Sequence, residues 1–499
     1  MVNARVAAVA LVAGLVVVQL GTHAREPPAP PPWQAFLLAA GADRRQADAA
    51  LDQIAEAWQD PYAALIVDVA RFLPSPRRPR PSDDPVGVGF DTGFDEDQPS
   101  PTQGRGGFPI APRQPAGAET RRRLTSFLDK QTPKRFGDDL RAWRRWIWSL
   151  PDAPHPDYAA FKADLYSRID PRFRTFFPAG VATRIRLDEI DWGGVSVNGI
   201  PPLRFPATIP AADASWLKEG HIVFGILVNG EARAYPKRIL AWHEMALDRV
   251  GGVDLTVVYC TLCGTVVPYE SVAGGRRFSF GTSGLLYRSN KLMFDEETGS
   301  LWSSLEGVPV VGPLADSGLR LAWQPVVTTT WGEWKRDHPS TTVLSLETGF
   351  ERDYSEGAAY RDYFATDRLM FEVPTSDGRL RNKAEVLVLR PEVLGGNAAP
   401  VAIAADRLRR EPVYAFDAGG RGFLVVTSKG GANRVYRRGS RTFDRRLADG
   451  ALRETNGRRW SIADDALVSD AGDRLSRVPA HRAFWFGWVA QYPETVLVK

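Results

Sequence analysis

The sequence predicts an α+β protein: an N-terminal helical region followed by a mainly β, internally duplicated body. Three observations carry this expectation. Apolar residues recur at three- and four-residue spacing as far as residue 176, the period of an amphipathic helix. Beyond Ala179 the pattern becomes strand-like, with turn signals roughly every eight to twelve residues. Within that β-rich part, two pairs of segments resemble one another.

With 499 residues, 44% of them hydrophobic and 10% aromatic, the chain can form a large core and roughly two or three domains. Its 63 basic and 59 acidic residues nearly balance, at a formal charge of +4, which gives no case for nucleic acid as the main partner. The opening stretch "MVNARVAAVALVAGLVVVQLGTHA" sets Arg5 before an apolar run ending in the small residues Thr22 and Ala24, the pattern of a secretory signal peptide over 1–24. An uncleaved anchor is the alternative, but the run is shorter than the ~20 residues a span needs and contains Gln19. Either way the body is expected in the periplasm or outside the cell, with no membrane span beyond the signal segment.

After a proline-rich spacer, "REPPAPPPWQ", the segment 33–73 reads as short helices. In 75–117 hydrophobicity collapses and Pro, Gly and charge dominate, which predicts a disordered linker. Helical patterning returns over 118–178, where Leu140, Trp143, Trp146 and Ile147 form a packing stripe flanked by arginines. The main β-rich domain is expected over 179–390 and a degenerate second unit over 391–499. "HIVFGILVNGEARAYP" predicts a hairpin turning at Asn229-Gly230, the pair suited to a type I′ turn. "PKRILAWHEMALDRVGG" predicts a helix, with Pro236 in its first turn and Gly251-Gly252 to stop it. "VDLTVVYCTLCGTVVPYE" then reads as strand, cysteine turn and strand.

The repeats pair "YRSNKLMFD" (287–295) with "YRRGSRTFD" (436–444), each followed by Trp-Ser, at Trp302-Ser303 and Trp460-Ser461. They also pair "TWGEWKRDHPSTTVL" with "FWFGWVAQYPETVLV", aligning Trp334 with Trp488 and Pro339 with Pro493. The second copy lacks the cysteine turn, so what only the first copy has is the better functional candidate.

Four segments in order, "RAYPKRILAWHE", "VVYCTLCGTVVPYE", "FGTSGLLYRSNKLMFDEETGSLWSSLEGVPVVGPL" and "TTTWGEWKRDHPSTTVLSLETGFERDY", resemble the bacterial and archaeal domain of unknown function 3179 family. The resemblance is strong over about 180–390 and weaker in the tail. It implies an extracytoplasmic or lipoprotein-like protein and carries no catalytic activity with it. The matching positions are His243, Glu244, Cys260, Cys263, Gly264, Ser283, Gly284, Asp295 and Trp302.

Cys260 and Cys263 are the only two cysteines. A disulfide between them would close too short a loop to restrain much chain entropy, so chemistry is the better reason for the pair. A Cys-x-x-Cys-Gly turn after a strand has the shape of a metal knuckle, and it supplies two thiolate ligands. His243 is the leading third ligand, because at helical spacing it shares a face with Ile239, Ala246, Leu247 and Val250; the alternative is a core histidine hydrogen-bonded to a carbonyl. Such a set would suit zinc or copper, with Glu244 or Asp295 as proton acceptor for a bound water. His221 and His338 are expected at the surface or in turns. "FGTSGLLYRSNK" offers Ser283, Arg288 and Lys291 as contacts for an anionic group, against the plainer reading of a hairpin connection. The aromatic stretch "TGFERDYSEGAAYRDYFATDRLMF" either packs over the core or stacks on a ligand.

Two rival functions stay open: an envelope binding module with a structural disulfide, and a thiol–disulfide exchanger. The β-branched residues after the pair start no helix, which removes the usual source of a low thiol pKa. No Gly-x-Ser-x-Gly elbow is present, and Leu247 stands where a His-Glu-x-x-His helix needs its second histidine. The partner is expected to be a small molecule or an envelope component.

Overall fold

Among the described residues helices come first, as the spacing predicts: Trp33–Leu38, Arg44–Glu56, Ala63–Arg71, Pro115–Gln131, Leu140–Trp148 and Tyr158–Ser167. The computed structural model describes residues 29–73 and 115–499, apart from 396, 448, 449 and 464. The candidate signal segment and nearly all of the expected linker fall outside the described residues; the linker's last residues already belong to the helix that starts at Pro115. Asp43 and Asp139 cap their helices by accepting the backbone N–H groups of Arg45 and Gln46, and of Ala142. Leu140, Trp143 and Ile147 are buried and Trp146 is half-buried, so the stripe is a packing face.

A buried ionic cluster ties these helices to the β body. Asp191, on the strand Ile190–Trp192, receives Arg71 Nη1 at 2.9 Å and Arg144 Nη2 at 2.5 Å, from two different helices. Burial would raise the Asp191 pKa, but Arg144 and then Arg71 outweigh it and hold the carboxyl below its usual range. Asp191→Ala is therefore expected to cost about 3–5 kcal/mol, because two buried guanidinium groups lose that carboxylate. Urea unfolding with limited proteolysis checks this, with the helical region released first.

The body is built around two sheets of the same design. In the first, Ile222–Val228 and Glu231–Pro236 form the predicted hairpin, with Asn229 and Gly230 both at positive φ, 48° and 84°. Val326–Thr330 adds antiparallel to the first hairpin strand, and Thr342–Leu344 adds parallel to the second. In the second sheet, Glu385–Leu389 and Val401–Ala404 pair antiparallel, His481–Phe484 joins the first of them antiparallel, and Val496–Val498 joins the other parallel. A short helix follows each pair, Lys237–His243 and Ala405–Arg410. Another bridges the last two strands of each, Trp331–Asp337 and Trp485–Val489.

Each first helix leads into a three-stranded antiparallel meander. One consists of Met245–Val250, Val253–Cys260 and Thr265–Glu270; the other consists of Val413–Ala418, Arg421–Thr427 and Asn433–Arg437. The aligned tryptophans occupy matching places: Trp334 Nε1 donates to Thr341 Oγ1 and Trp488 Nε1 to Thr495 Oγ1, each at 2.9 Å. The Tyr-Arg alignment does not carry over. Tyr287 ends a strand paired across a tight turn with Asn290–Asp295, whereas the strand holding Tyr436 pairs with Arg421–Thr427 and Arg474–Val478.

The helix expected over 236–252 stops at His243. Glu244 adopts the left-handed conformation, φ 56°, and its N–H returns to the Leu240 carbonyl, closing the helix. Met245–Val250 then runs as a strand between Leu203–Arg204 and Val253–Cys260. Apolar residues at 245, 246, 247 and 250 fit a strand buried on both faces as well as a helix face, and tertiary pairing decided between them.

Candidate functional site

Strand Val253–Cys260 ends in the turn Thr261–Gly264, which hands over to strand Thr265–Glu270. Gly264 takes φ 60°, the left-handed position that the Cys-x-x-Cys-Gly order calls for. Both cysteines are free thiols, Cys260 4% exposed and Cys263 fully buried. The Cys263 thiol donates to the Ser289 carbonyl at 3.1 Å. Ser289 and Arg288, both at positive φ, form the tight turn between Phe280–Tyr287 and Asn290–Asp295.

The two thiols are coupled, and their pKa values move apart. Burial opposes the Cys260 thiolate, yet the adjoining Cys263 side chain and the backbone N–H groups of Lys291 and Cys263 outweigh it, so its pKa falls below the ordinary thiol value. Cys263 is pushed well above that value, by burial first and then by Cys260. One sulfur is therefore displaced towards thiolate, and the other is held as a thiol whose proton goes to the Ser289 carbonyl.

Beside the sulfurs lies a small pocket with an ionic base. Lys291 Nζ meets Glu244 Oε2 at 2.9 Å, with side chains only 5% and 10% exposed, and the Tyr360 hydroxyl donates to Glu244 Oε1 at 2.9 Å. Leu262, Met370 and Phe371 are among its walls. Burial and then the Glu244 charge raise the Tyr360 pKa well above its ordinary value, so this hydroxyl stays protonated. Tyr363 is fixed on the other side, its hydroxyl donating to the Leu262 carbonyl at 2.7 Å inside the cysteine turn.

Glu244 reaches this position because of its backbone. A left-handed residue without glycine carries strain of about 1–3 kcal/mol, which the surroundings must impose. Here the Glu244 carbonyl accepts from Tyr259 N–H at 2.9 Å and from Lys291 Nζ at 3.4 Å, locking the turn against the strand that carries Cys260.

His243 does not join the cysteines. Its Nδ1 lies 2.9 Å from the Pro201 carbonyl, so Nδ1–H donates there and Nε2 accepts from the Tyr354 hydroxyl. The helix ends at His243, which sends the imidazole to the 350–354 segment and the Glu244 carboxylate to Lys291. Among the described residues no group of three or more His, Cys, Asp or Glu side chains could hold a metal ion, so the Cys260, Cys263 and His243 set is not assembled.

The anion contacts are likewise dispersed. Ser283 Oγ donates to the Leu292 carbonyl, Arg288 pairs with Glu189, and Lys291 alone of the three reaches the pocket. Asp295 accepts from Trp302 Nε1 at 2.8 Å and from Thr298, closing a β-turn. His221 Nδ1 accepts from the Lys218 N–H, and His338 packs tilted against Trp334 with ring centroids 4.0 Å apart.

Burial depresses His243 to a pKa of about 4, and burial followed by Arg390 depresses His481 to about 3. Both are neutral when folded, while the unfolded chain binds their protons near pH 6.5. Stability is therefore expected to fall as pH drops below about 6.5, each histidine contributing about 1.4 kcal/mol per pH unit. The His243 contribution ends near pH 4 and that of His481 near pH 3. Urea unfolding across pH 4–7, with His243→Gln flattening the slope, checks this.

Sequence reasoning missed Tyr360 and Tyr363. Both come from the aromatic stretch noted above, which folds over the cysteine turn with Tyr363, Met370 and Phe371 in one core cluster with Cys260 and Cys263. No spacing rule links them to residues a hundred positions earlier; only their density in one loop marked the segment.

A helical region, a β-rich body of two similarly connected sheets, and a buried Cys-x-x-Cys turn beside an ionic pocket define the class of protein. Within that class, the chain belongs to the family described as Protein of unknown function (DUF3179), whose model matches residues 197–495. The match extends through the C-terminal sheet and leaves the N-terminal helices outside. No curated protein and no solved structure matches the chain.

Proposed function

We propose that the family body is an extracytoplasmic thiol redox centre, in which Cys260 and Cys263 interconvert between dithiol and disulfide. The observation that carries this reading is the geometry of the pair: two free, buried thiols on one tight turn, Cys263 held by the Ser289 carbonyl, with their pKa values displaced in opposite directions. Cys260 is the attacking sulfur and Cys263 the resolving one. Oxidation releases two electrons and the remaining protons, and a small disulfide that accepts them leaves as two thiols. Glu244, whose charge opposes ionisation of both cysteines, is the proton acceptor as Cys263 closes the disulfide.

Burial of both sulfurs favours small reactants over protein disulfides. The adjoining cavity, with an ionic base and apolar walls, has a volume of about 30 Å³, room for water beside the cysteine turn. The candidate signal segment fits this chemistry, because thiol pairs cycle in oxidising compartments.

The test is a free-thiol count combined with metal analysis on protein purified from its native compartment, before and after treatment with oxidised glutathione. Two titratable thiols that disappear reversibly, with no bound metal, are expected. Stoichiometric zinc or copper lost in Cys260→Ser would replace this reading with a metal site. A disulfide that resists reduction in the folded chain would make it a structural staple.

A further inference from the structure

The second sheet reaches into the thiol site of the first. Gly487, in the helix Trp485–Val489, lies so close that an added Cβ would stand 3.1 Å from Cys263 Cβ and 3.5 Å from its Sγ. The Phe484 N–H donates to the Cys263 carbonyl at 2.7 Å, and Asn290 Nδ2 donates to the Gly487 carbonyl at 2.8 Å. Arg288 Nη1 donates to the Ala490 carbonyl at 3.0 Å. One short helix therefore braces both the cysteine turn and the Arg288-Ser289 turn, whose carbonyl receives the Cys263 thiol.

The other half of the body has the reciprocal contact. The turn at 428–432 joins the second and third strands of its meander, as the cysteine turn does in the first. It is held by Glu333, from the helix Trp331–Asp337: the Ser428 hydroxyl and the Gly430 N–H, the latter at 2.7 Å, both donate to this carboxylate. Glu333 and Gly487 each stand just before the second tryptophan of their helix, Trp334 and Trp488. Each half's turn is thus capped by the other half's helix, with a carboxylate in one case and a bare glycine in the other. Alanine is the better helix former. Glycine at 487 therefore needs a cause, and contact with Cys263 provides one.

We infer that the helix Trp485–Val489 completes the thiol site across the two halves, and that Gly487 is the positioning residue that fixes the Cys263 sulfur between Cys260 and the Ser289 carbonyl. The redox consequence rests on the proposed function; the positioning does not. In the chemistry above, Gly487 touches no substrate and acts through Cys263 alone.

The experiment uses the full-length reduced chain and its Gly487→Ala variant. The rate at which iodoacetamide alkylates each cysteine is resolved by peptide mass spectrometry, and the thiol–disulfide equilibrium is measured against glutathione. Gly487→Ala is expected to change the ratio of the two alkylation rates and to shift the equilibrium constant about tenfold, or about 30 mV. Glu333→Gln, which loosens only the reciprocal turn, is expected to leave both readouts unchanged. Should Gly487→Ala fail to fold, Asn290→Ala, which frees the Gly487 carbonyl, is expected to move the same two readouts. Unchanged thiols in these variants overturn the inference, as do equal changes in Glu333→Gln, which would mean general loosening. A changed alkylation ratio in a chain that never exchanges with glutathione upholds the positioning and sinks the redox reading.

Discussion

Cys263→Ala is expected to abolish disulfide formation and to slow alkylation of Cys260 at neutral pH by about tenfold or more. The substitution removes the side chain that offsets burial of the Cys260 thiolate. Without it burial dominates, and the thiolate population falls accordingly. The pH profile of iodoacetamide alkylation is the measurement: its inflection moves to higher pH in the variant. Cys260→Ala has the opposite character. It leaves Cys263, already the more weakly ionised sulfur, inert to alkylation in the folded chain. Equal reactivity of the two single variants would show that the sulfurs do not divide the roles of attacking and resolving thiol.

Lys291→Met is expected to cost about 3–5 kcal/mol of stability, because it leaves the Glu244 carboxylate buried with the Tyr360 hydroxyl but without its cation. Glu244→Gln on its own strands the ammonium in the same way. The double variant, Lys291→Met with Glu244→Gln, should recover much of that loss, since neither charge then remains. Urea unfolding of the four chains closes the cycle, and a non-additive coupling above about 1 kcal/mol is the expected sign of a direct pair. Lys291 also donates its backbone N–H to Cys260, which no side-chain substitution removes, so the thiolate should persist in Lys291→Met. Stability and thiol reactivity thus separate at this residue.

Much of the fold could be read from local patterns. Asn229-Gly230 announced its hairpin because two adjacent positive φ angles are required there, and the strand, cysteine turn and strand followed from β-branched runs flanking a glycine. The helix at 236–252 was read too long, since an apolar cluster on a doubly buried strand has no period that distinguishes it from a helix face. That single boundary decided the site. A helix continued to residue 252 would face His243 towards the cysteines; with the helix closed at His243 and Glu244 left-handed, the histidine meets Tyr354 and the carboxylate meets Lys291.

The cysteines themselves were visible as the chain's only pair, and Glu244 and Lys291 were named among several polar neighbours. Their union as an ion pair was not visible, because it depends on a non-local meeting of a helix end with a hairpin strand. Gly487 gave still less signal. A glycine in a short helix carries meaning only when its neighbour across the fold is known, and that neighbour lies more than two hundred positions away in the sequence.

The central claim is that Cys260 and Cys263 form a reversible redox pair, and the most direct measurement is a glutathione redox titration of the full-length chain followed by alkylation and mass spectrometry. The account predicts a single two-electron transition from two labelled thiols to none, fully reversed by reduced glutathione, with a midpoint of about −180 to −300 mV. Two thiols that stay labelled across that range, or a disulfide that forms and cannot be reduced in the folded chain, would contradict it.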